Sequence, residues 1–202
     1  MLERGIKSII DDSLKQNVFG KDFQFRDGQR EVIEAICNHY LEDANGTIIL
    51  DAPTGSGKSL IAMWSAHILK EMGNRGYLVT SDLMLQDQYE EDFKRLKLDW
   101  PSIRGVDNYV CNVNDLPFSL ADCKMKGIGY EAAEKLPCWN NCGYLQGRKR
   151  AKELPVALFN YSYYLIQRNY VEDKMAEQDR EVPFPMRDFV FFDEAHKVDS
   201  IV

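Results

Sequence analysis

Long apolar runs are missing from this 202-residue sequence, and none approaches the roughly 18 residues that would span a bilayer. An export signal is missing as well, because Glu3 and Arg4 stand where such a signal needs an apolar core. These two absences argue against the membrane and secreted classes of protein. We therefore expect a protein of the cytoplasm with no membrane partner.

Repeats, low-complexity tracts and an excess of positive charge are also missing. The chain has 25 Lys and Arg against 32 Asp and Glu, which gives a net charge of −7. Binding to nucleic acid depends largely on the neutralisation of phosphates, so any nucleic-acid path must be a local basic track. The best candidate is the basic run at residues 148–152, with Lys124 and Lys126 nearby in the sequence. A solvated helix face is the plain alternative.

The composition is that of an ordinary globular protein, with 45% hydrophobic and 28% charged residues. The length allows one domain with an elaboration. A first helix is predicted after Asp27, which is available as its N-cap. Its apolar face would consist of Val32, Ile33, Ile36, Cys37, Tyr40 and Leu41. Because Cys37 lies on that face, we interpret it as a core side chain and not as a metal ligand.

Short strands then alternate with helices. Strands are predicted at residues 47–50, 77–80, 156–159 and 189–192, and the last is fully apolar, as a buried strand would be. Two helical patterns follow the first two strands, with apolar positions at Leu60, Ile61, Trp64, Ile68 and Leu69 and at Leu85, Tyr89, Phe93 and Leu96. This order predicts an α/β fold, with a parallel sheet flanked by helices and right-handed crossovers.

A glycine-rich loop connects the first strand to its helix, with the sequence Ala52-Pro53-Thr54-Gly55-Ser56-Gly57-Lys58-Ser59. Loops of this kind bind phosphate because backbone N–H groups and a helix N-terminus surround the oxygens, and glycine permits the close approach. Lys58 would reach the β- and γ-phosphates of ATP, and the Ser59 hydroxyl would ligate Mg²⁺. The general pattern has Gly where Ala52 stands, so the loop is a variant, and an ordinary turn is the alternative.

The last predicted strand ends in Asp193-Glu194-Ala195-His196. An Asp at the end of a strand is placed to hold Mg²⁺, and an adjacent Glu can orient and deprotonate the attacking water. Taken alone, this pair would be a solvated strand end. Together with the phosphate loop, it predicts Asp193 as a Mg²⁺ ligand and Glu194 as the catalytic base.

Four cysteines lie in the irregular stretch between the two nucleotide motifs, at Cys111, Cys123, Cys138 and Cys142, separated by eleven, fourteen and three residues. Disulfides are rare in a reducing cytoplasm, so a metal site is favoured. Four thiolates can hold zinc or a 4Fe–4S cluster, and unliganded thiols are the third alternative. The spacing alone does not decide among them.

These motifs together resemble the superfamily 2 helicases, and the residues around them resemble the iron–sulfur group typified by DinG and XPD. The resemblance spans residues 23–196 and is looser between the nucleotide motifs. It implies a RecA-like fold, ATP and Mg²⁺ as cofactors, DNA helicase activity and a 4Fe–4S cluster, in preference to zinc, on the four cysteines. It also implies that His196 couples the ATP site to nucleic-acid contacts.

Other segments carry the same resemblance. Residues 25–29 resemble the family's adenine motif, which implies that Phe25, Arg26 and Gln29 bind the nucleotide, with Gln29 reading adenine and Phe23 or Phe25 stacking on it. Residues 80–88 resemble a segment that contacts the DNA backbone, and residues 160–165 resemble a segment found after the cluster. The position of Arg148 after Tyr144 implies that Arg148 faces DNA.

The resemblance divides the chain into a first RecA-like domain at residues 1–105 and 148–202 and an iron–sulfur insert at residues 106–147. The implied partners are single-stranded or forked DNA, followed in the 5′-to-3′ direction at the nucleoid, and a second RecA-like domain in the same or another chain. That domain supplies an arginine finger, so we expect residues 1–202 alone to hydrolyse little ATP. A nucleotide- and cluster-binding module that does not translocate is the alternative.

Overall fold

The structure is a computed structural model that describes residues 5–168 and 184–200, without the side chains of residues 130, 131 and 198–200. The α-helices are α1 (Ile6–Lys15), α2 (Gln29–Glu42), α3 (Lys58–Glu71), α4 (Leu83–Leu96), α5 (Asp122–Met125), α6 (Tyr130–Ala133), α7 (Gly143–Glu153) and α8 (Tyr161–Ile166). The strands are β1 (Gly76–Thr80), β2 (Ser102–Ile103), β3 (Val156–Asn160) and β4 (Phe189–Phe192). Short 3-10 helices lie at Val106–Asn108, Phe118–Leu120, Trp139–Asn141 and Ala195–Ser200.

The four strands form one parallel sheet in the order β2-β3-β1-β4. Tyr77 of β1 is in register with Ala157 of β3 on one side and with Val190 of β4 on the other. Helices flank the sheet, so the prediction of a parallel α/β fold is confirmed. The arrangement is consistent with a RecA-like domain.

Each face of the sheet contributes to a separate core, because successive side chains of a strand point to opposite faces. Leu78 and Leu158 pack against α1, α2, α3 and α4. Tyr77, Val79 and Phe159 pack against α7, α8 and the cysteine-containing stretch. The strands β1 and β3 are consequently buried along their whole length, as expected for a parallel sheet covered on both faces.

The predicted strand at residues 47–50 is wrong: the structure has no regular secondary structure there. Ile49 is 90% exposed, and Ile48 is 43% exposed. A strand needs a neighbour with which to exchange hydrogen bonds, and β-branched composition supplies only a preference for extended backbone. No strand of the described chain pairs with these residues.

The strand predicted at residues 189–192 is present, but it is not fully buried as expected. In the described sheet β4 is an edge strand that pairs with β1 alone. Only Phe189 is buried, and Phe192 is 44% exposed. An apolar run does not by itself reveal whether a strand is central or at an edge.

Helix α2 also differs from its prediction in two details. It begins at Gln29 after Gly28, whose left-handed backbone (φ 80°) replaces the predicted cap at Asp27. Leu41 is 54% exposed, whereas Ile33, Ile36 and Cys37 are buried as predicted. Neither α1 and β2 nor the short helices α5, α6 and α8 were predicted from the sequence. Of the described helices, none is long and apolar enough to cross a membrane.

The end of the insert predicted from the resemblance lies within a helix. Helix α7 begins at Gly143 and continues to Glu153, across the predicted division at residue 147. The short helices between residues 106 and 141 share a core with one face of the sheet. Residues 1–4, which carry the prediction on export, lie outside the described residues.

Candidate nucleotide-binding site

The predicted phosphate loop ends at the beginning of helix α3. Gly55 and Gly57 both have positive φ angles, of 82° and 87°, which glycine adopts at little cost. Gly57 precedes the first residue of α3, so the loop leads directly into a helix N-terminus. A turn closed by the Ser56 N–H and the Pro53 carbonyl at 3.2 Å encloses Thr54 and Gly55. The structure therefore has the backbone arrangement that surrounds a phosphate.

The side chain of Lys58 turns back into this loop. Its ammonium donates a hydrogen bond to the Ala52 carbonyl at 3.0 Å. The same ammonium lies 3.5 Å from the Pro53 carbonyl. The positive charge is thus held inside the loop, at the place where anionic oxygens would be received.

Ser59, in the first turn of α3, meets Asp193 at the end of β4. The Ser59 hydroxyl donates to Asp193 Oδ2 at 2.7 Å, across 134 positions of sequence. Adjacent ligands of an octahedral Mg²⁺ lie about 2.9 Å apart, since each is about 2.1 Å from the ion. The two oxygens therefore fit neighbouring positions around one Mg²⁺.

The remaining predicted catalytic residues are adjacent to Asp193. Glu194 has a positive φ angle of 58°, an uncommon conformation for a residue with a side chain. His196 Nε2 lies 3.4 Å from Glu194 Oε2, and 71% of the His196 side chain is exposed. The structure thus brings Lys58, Ser59, Asp193 and Glu194 to one edge of the sheet.

The predicted adenine motif is hydrogen-bonded to the phosphate loop. Gln29 Oε1 accepts from the Arg26 backbone N–H at 2.9 Å, and Gln29 Nε2 donates to the Ser56 carbonyl at 2.8 Å. The Arg26 guanidinium donates to the Gly55 carbonyl at 2.6 Å. Phe25 packs against Trp64 with ring centroids 4.9 Å apart. The Gln29 amide therefore connects the two segments, since its oxygen binds Arg26 and its nitrogen binds the phosphate loop.

Residues 80–88 and residues 160–165 meet at the same edge of the sheet. Asp82 caps helix α4 by accepting from the Leu85 N–H at 2.9 Å, and this bond is the main reason that the pKa of Asp82 is lowered. Asn160 Nδ2 donates to Gln86 Oε1 at 3.1 Å. Asn160 also caps α8 by accepting from the Tyr163 N–H at 2.9 Å. The two segments singled out by the resemblance are therefore in direct contact.

Two tyrosines that sequence reasoning did not assign to the site hold Asp193. The Tyr89 hydroxyl donates to Asp193 Oδ2 at 2.8 Å, and the Tyr161 hydroxyl donates to the Asp193 carbonyl at 3.0 Å. Burial, and then the charge of Asp193, raise the pKa of both phenols well above the usual range. Tyr89 and Tyr161 lie far from Asp193 in the sequence, so no local motif indicates these contacts.

The four cysteines of the irregular stretch are neighbours in space. Cys111 and Cys142 are buried in the core that contains Tyr77, and Cys123 packs against it. Burial first, and then the charges of Cys111 and Cys138, raise the pKa of Cys123. Among the described residues, however, no three His, Cys, Asp or Glu side chains are grouped so that they could hold one metal ion. Cys37 lies apart in the other core, where burial raises its pKa to about 12.

The basic run at residues 148–152 lies on α7, and two of its arginines contact other parts of the protein. The Arg148 guanidinium lies over the ring of Phe184, 5.9 Å from its centroid. Arg150 forms an ion pair with Asp99, and Ala151 is fully buried. That Arg148 faces DNA stays a prediction.

Comparison with known proteins decides the family. The family described as "Type III restriction enzyme, res subunit" matches residues 22–200, which is most of the chain. The chain belongs to this family. It is a helicase-like domain of superfamily 2, and helicases of this kind use ATP and Mg²⁺ and act on nucleic acid.

No curated protein matches this member of the Type III restriction enzyme res-subunit family. A solved structure described as "Truncated XPD" is 18% identical, with a TM-score of 0.44, over 88% of this chain and 55% of that chain. This chain therefore spans about half the length of the structure that it matches.

Proposed function

We propose that this chain is the first RecA-like domain of an ATP-dependent DNA helicase or translocase of the iron–sulfur type. The observation that carries the proposal is the 2.7 Å hydrogen bond between Ser59 and Asp193. It joins a phosphate-binding loop to an acidic strand end, and ATP hydrolysis needs both. Membership of a helicase-like family supports the same conclusion.

Each residue of the site has a defined part in this proposal. The N–H groups around Gly55 and Gly57 and the Lys58 ammonium bind the β- and γ-phosphates. Ser59 and Asp193 hold Mg²⁺, which neutralises negative charge on the phosphate oxygens. Glu194, one residue beyond Asp193, orients the attacking water and accepts its proton.

The nucleic acid would lie along the sheet edge where residues 80–88 and 160–165 meet. Asp82, Gln86 and Asn160 are linked there by hydrogen bonds and helix caps, as described above. We propose single-stranded or forked DNA as the partner and 5′-to-3′ movement along it. A second RecA-like domain, in the same or another chain, closes the site and supplies the arginine finger.

We further propose that Cys111, Cys123, Cys138 and Cys142 hold a 4Fe–4S cluster. Two observations support this: the thiols share one side of the fold, and three of them belong to or pack against one core. Zinc on the same four thiols is the alternative, and the iron and sulfide content of the protein distinguishes the two.

The test is ATP turnover by the full-length protein with and without single-stranded DNA, followed by unwinding of forked duplexes with a 5′ or a 3′ tail. We expect DNA to stimulate turnover and a 5′ tail to be required. Nucleotide binding with no DNA-stimulated turnover would instead support a binding module that does not translocate. The Glu194→Gln variant serves as the inactive control.

A further inference from the structure

Asp193 Oδ2 accepts two hydrogen bonds, from Ser59 at 2.7 Å and from Tyr89 at 2.8 Å. The proposed reaction gives Ser59 a part as a Mg²⁺ ligand but gives Tyr89 none. A carboxylate can rotate about its terminal bond, so a metal ligand needs a second contact to fix the direction of its lone pairs. Tyr89 supplies such a contact from a different element, helix α4.

The position of Tyr89 is itself fixed by packing. Its side chain is only 3% exposed, and its ring packs edge-on against Phe93 with centroids 5.9 Å apart. Phe93 in turn packs against Trp100 at 5.3 Å. A buried, immobilised ring keeps its hydroxyl in one place, 2.8 Å from Asp193 Oδ2.

We propose that Tyr89 is a positioning residue that holds the Asp193 carboxylate in the orientation in which it receives Mg²⁺. This inference rests on the proposed function, because it concerns the metal of the same site. It also connects α4, whose N-terminal segment is the proposed DNA contact, to the metal site through one side chain. Tyr161 holds the Asp193 carbonyl instead, so it fixes the backbone and leaves the carboxylate to Tyr89.

The test uses the full-length protein and the Tyr89→Phe variant, which loses only the hydroxyl. ADP binding is measured by calorimetry over a series of Mg²⁺ concentrations and again in EDTA. Loss of a hydrogen bond that orients a metal-ligating carboxylate typically weakens metal affinity 10–100-fold. We expect the variant to need about tenfold more Mg²⁺ for half-maximal enhancement of ADP binding, with metal-free ADP binding unchanged.

The matched control is Tyr40→Phe, which removes another tyrosine hydroxyl. That hydroxyl donates to Asn74 Oδ1 at 2.9 Å and lies near the end of α2, away from the metal site. This variant should keep the wild-type dependence on Mg²⁺. A merely structural Tyr89 would lower the melting temperature of Tyr89→Phe and leave the Mg²⁺ dependence as in wild type, which would overturn the inference while the proposed function stands. If the wild-type protein showed no Mg²⁺-dependent nucleotide binding, both the inference and the proposed function would be contradicted.

A second variant keeps the test decisive if Tyr89→Phe does not fold. Incorporation of 4-aminophenylalanine at position 89 keeps an N–H donor at the place of the hydroxyl and preserves the ring packing. We expect this protein to retain the wild-type Mg²⁺ requirement to within about twofold, since a donor to the carboxylate remains. A Mg²⁺ requirement as high as that predicted for Tyr89→Phe would show that the donor does not set the orientation of Asp193.

Discussion

Gln29 and Gly57 are so close that a Cβ atom on residue 57 would lie 2.5 Å from the Gln29 amide nitrogen. Gly57 also has a φ angle of 87°, where a residue with a side chain is strained by about 1–2 kcal/mol. The same amide nitrogen donates to the Ser56 carbonyl, so movement away from residue 57 would strain that hydrogen bond. The adenine motif and the phosphate loop therefore constrain each other.

We predict that Gly57→Ala weakens ATP binding at least tenfold, because it adds a clash with Gln29 to the backbone strain. Gly55→Ala is the matched control: its φ angle is 82°, but a Cβ atom there has nothing within 4 Å. It should lose less affinity than Gly57→Ala. Titration of a fluorescent ATP analogue measures both, and equal losses would show that the contact with Gln29 has no effect.

Replacement of Glu194 should abolish ATP hydrolysis without abolishing the binding of Mg-ATP. Replacing Glu194 by Gln removes the water-activating base but leaves the Ser59–Asp193 pair intact. We expect the full-length variant to bind Mg-ATP within about threefold of wild type and to lose at least about a hundredfold in turnover. Turnover equal to that of wild type would rule out Glu194 as the base.

If the four cysteines hold a 4Fe–4S cluster, the protein should contain iron and sulfide. Protein purified without oxygen should be brown and contain about four iron and about four acid-labile sulfide per chain. Cys138→Ser and Cys142→Ser should each lose the iron while the RecA-like core still binds nucleotide. Cys37→Ala, in the opposite core, should keep it. One equivalent of zinc without sulfide would contradict the cluster assignment.

Stability should depend on pH through His67. This side chain is buried on α3 beside Ser13, with 2.9 Å between Ser13 Oγ and His67 Nε2. Burial lowers its pKa from 6.5 to about 4; the charge of Glu71 raises it by a smaller amount, and the charge of Lys70 lowers it further. Between about pH 4 and pH 6.5 His67 therefore binds a proton in the unfolded chain but not in the folded chain. The free energy of unfolding consequently falls as the pH drops below about 6.5.

From pH 7 to pH 5 this difference in pKa should cost about 2 kcal/mol of stability. Urea denaturation of wild type and His67→Gln at the two pH values measures it, because Gln does not titrate. The pH dependence of the variant should be smaller by that amount. An identical loss of stability in both proteins would mean that another group is responsible.

The sequence alone predicts those parts of the nucleotide site that consist of residues close together in the chain. The loop at residues 52–59 and the acidic strand end at Asp193 are continuous motifs, and the structure brings them together as expected. The parallel sheet follows from the alternation of strands and helices. These features depend on short-range spacing, which a single sequence records.

Other features depend on contacts between distant segments, which a single sequence does not record. In the sequence, Tyr89 is indistinguishable from the other apolar positions of α4. Its hydrogen bond to Asp193 spans 104 positions. The segment at residues 47–50 has strand composition but no strand partner in the described sheet. The basic run predicts a nucleic-acid track, yet Arg148 lies over the Phe184 ring and Arg150 pairs with Asp99 at the surface.

The central claim is that residues 52–59 and Asp193 form one Mg-ATP site. Calorimetric titration of residues 1–202 with a non-hydrolysable ATP analogue, with Mg²⁺ and with EDTA, tests it most directly. We predict one binding site that Mg²⁺ strengthens, and a loss of at least about tenfold in affinity in Lys58→Ala, because the phosphates lose a positive charge held in the loop. Absence of binding by wild type, or equal affinity in Lys58→Ala, would contradict the account.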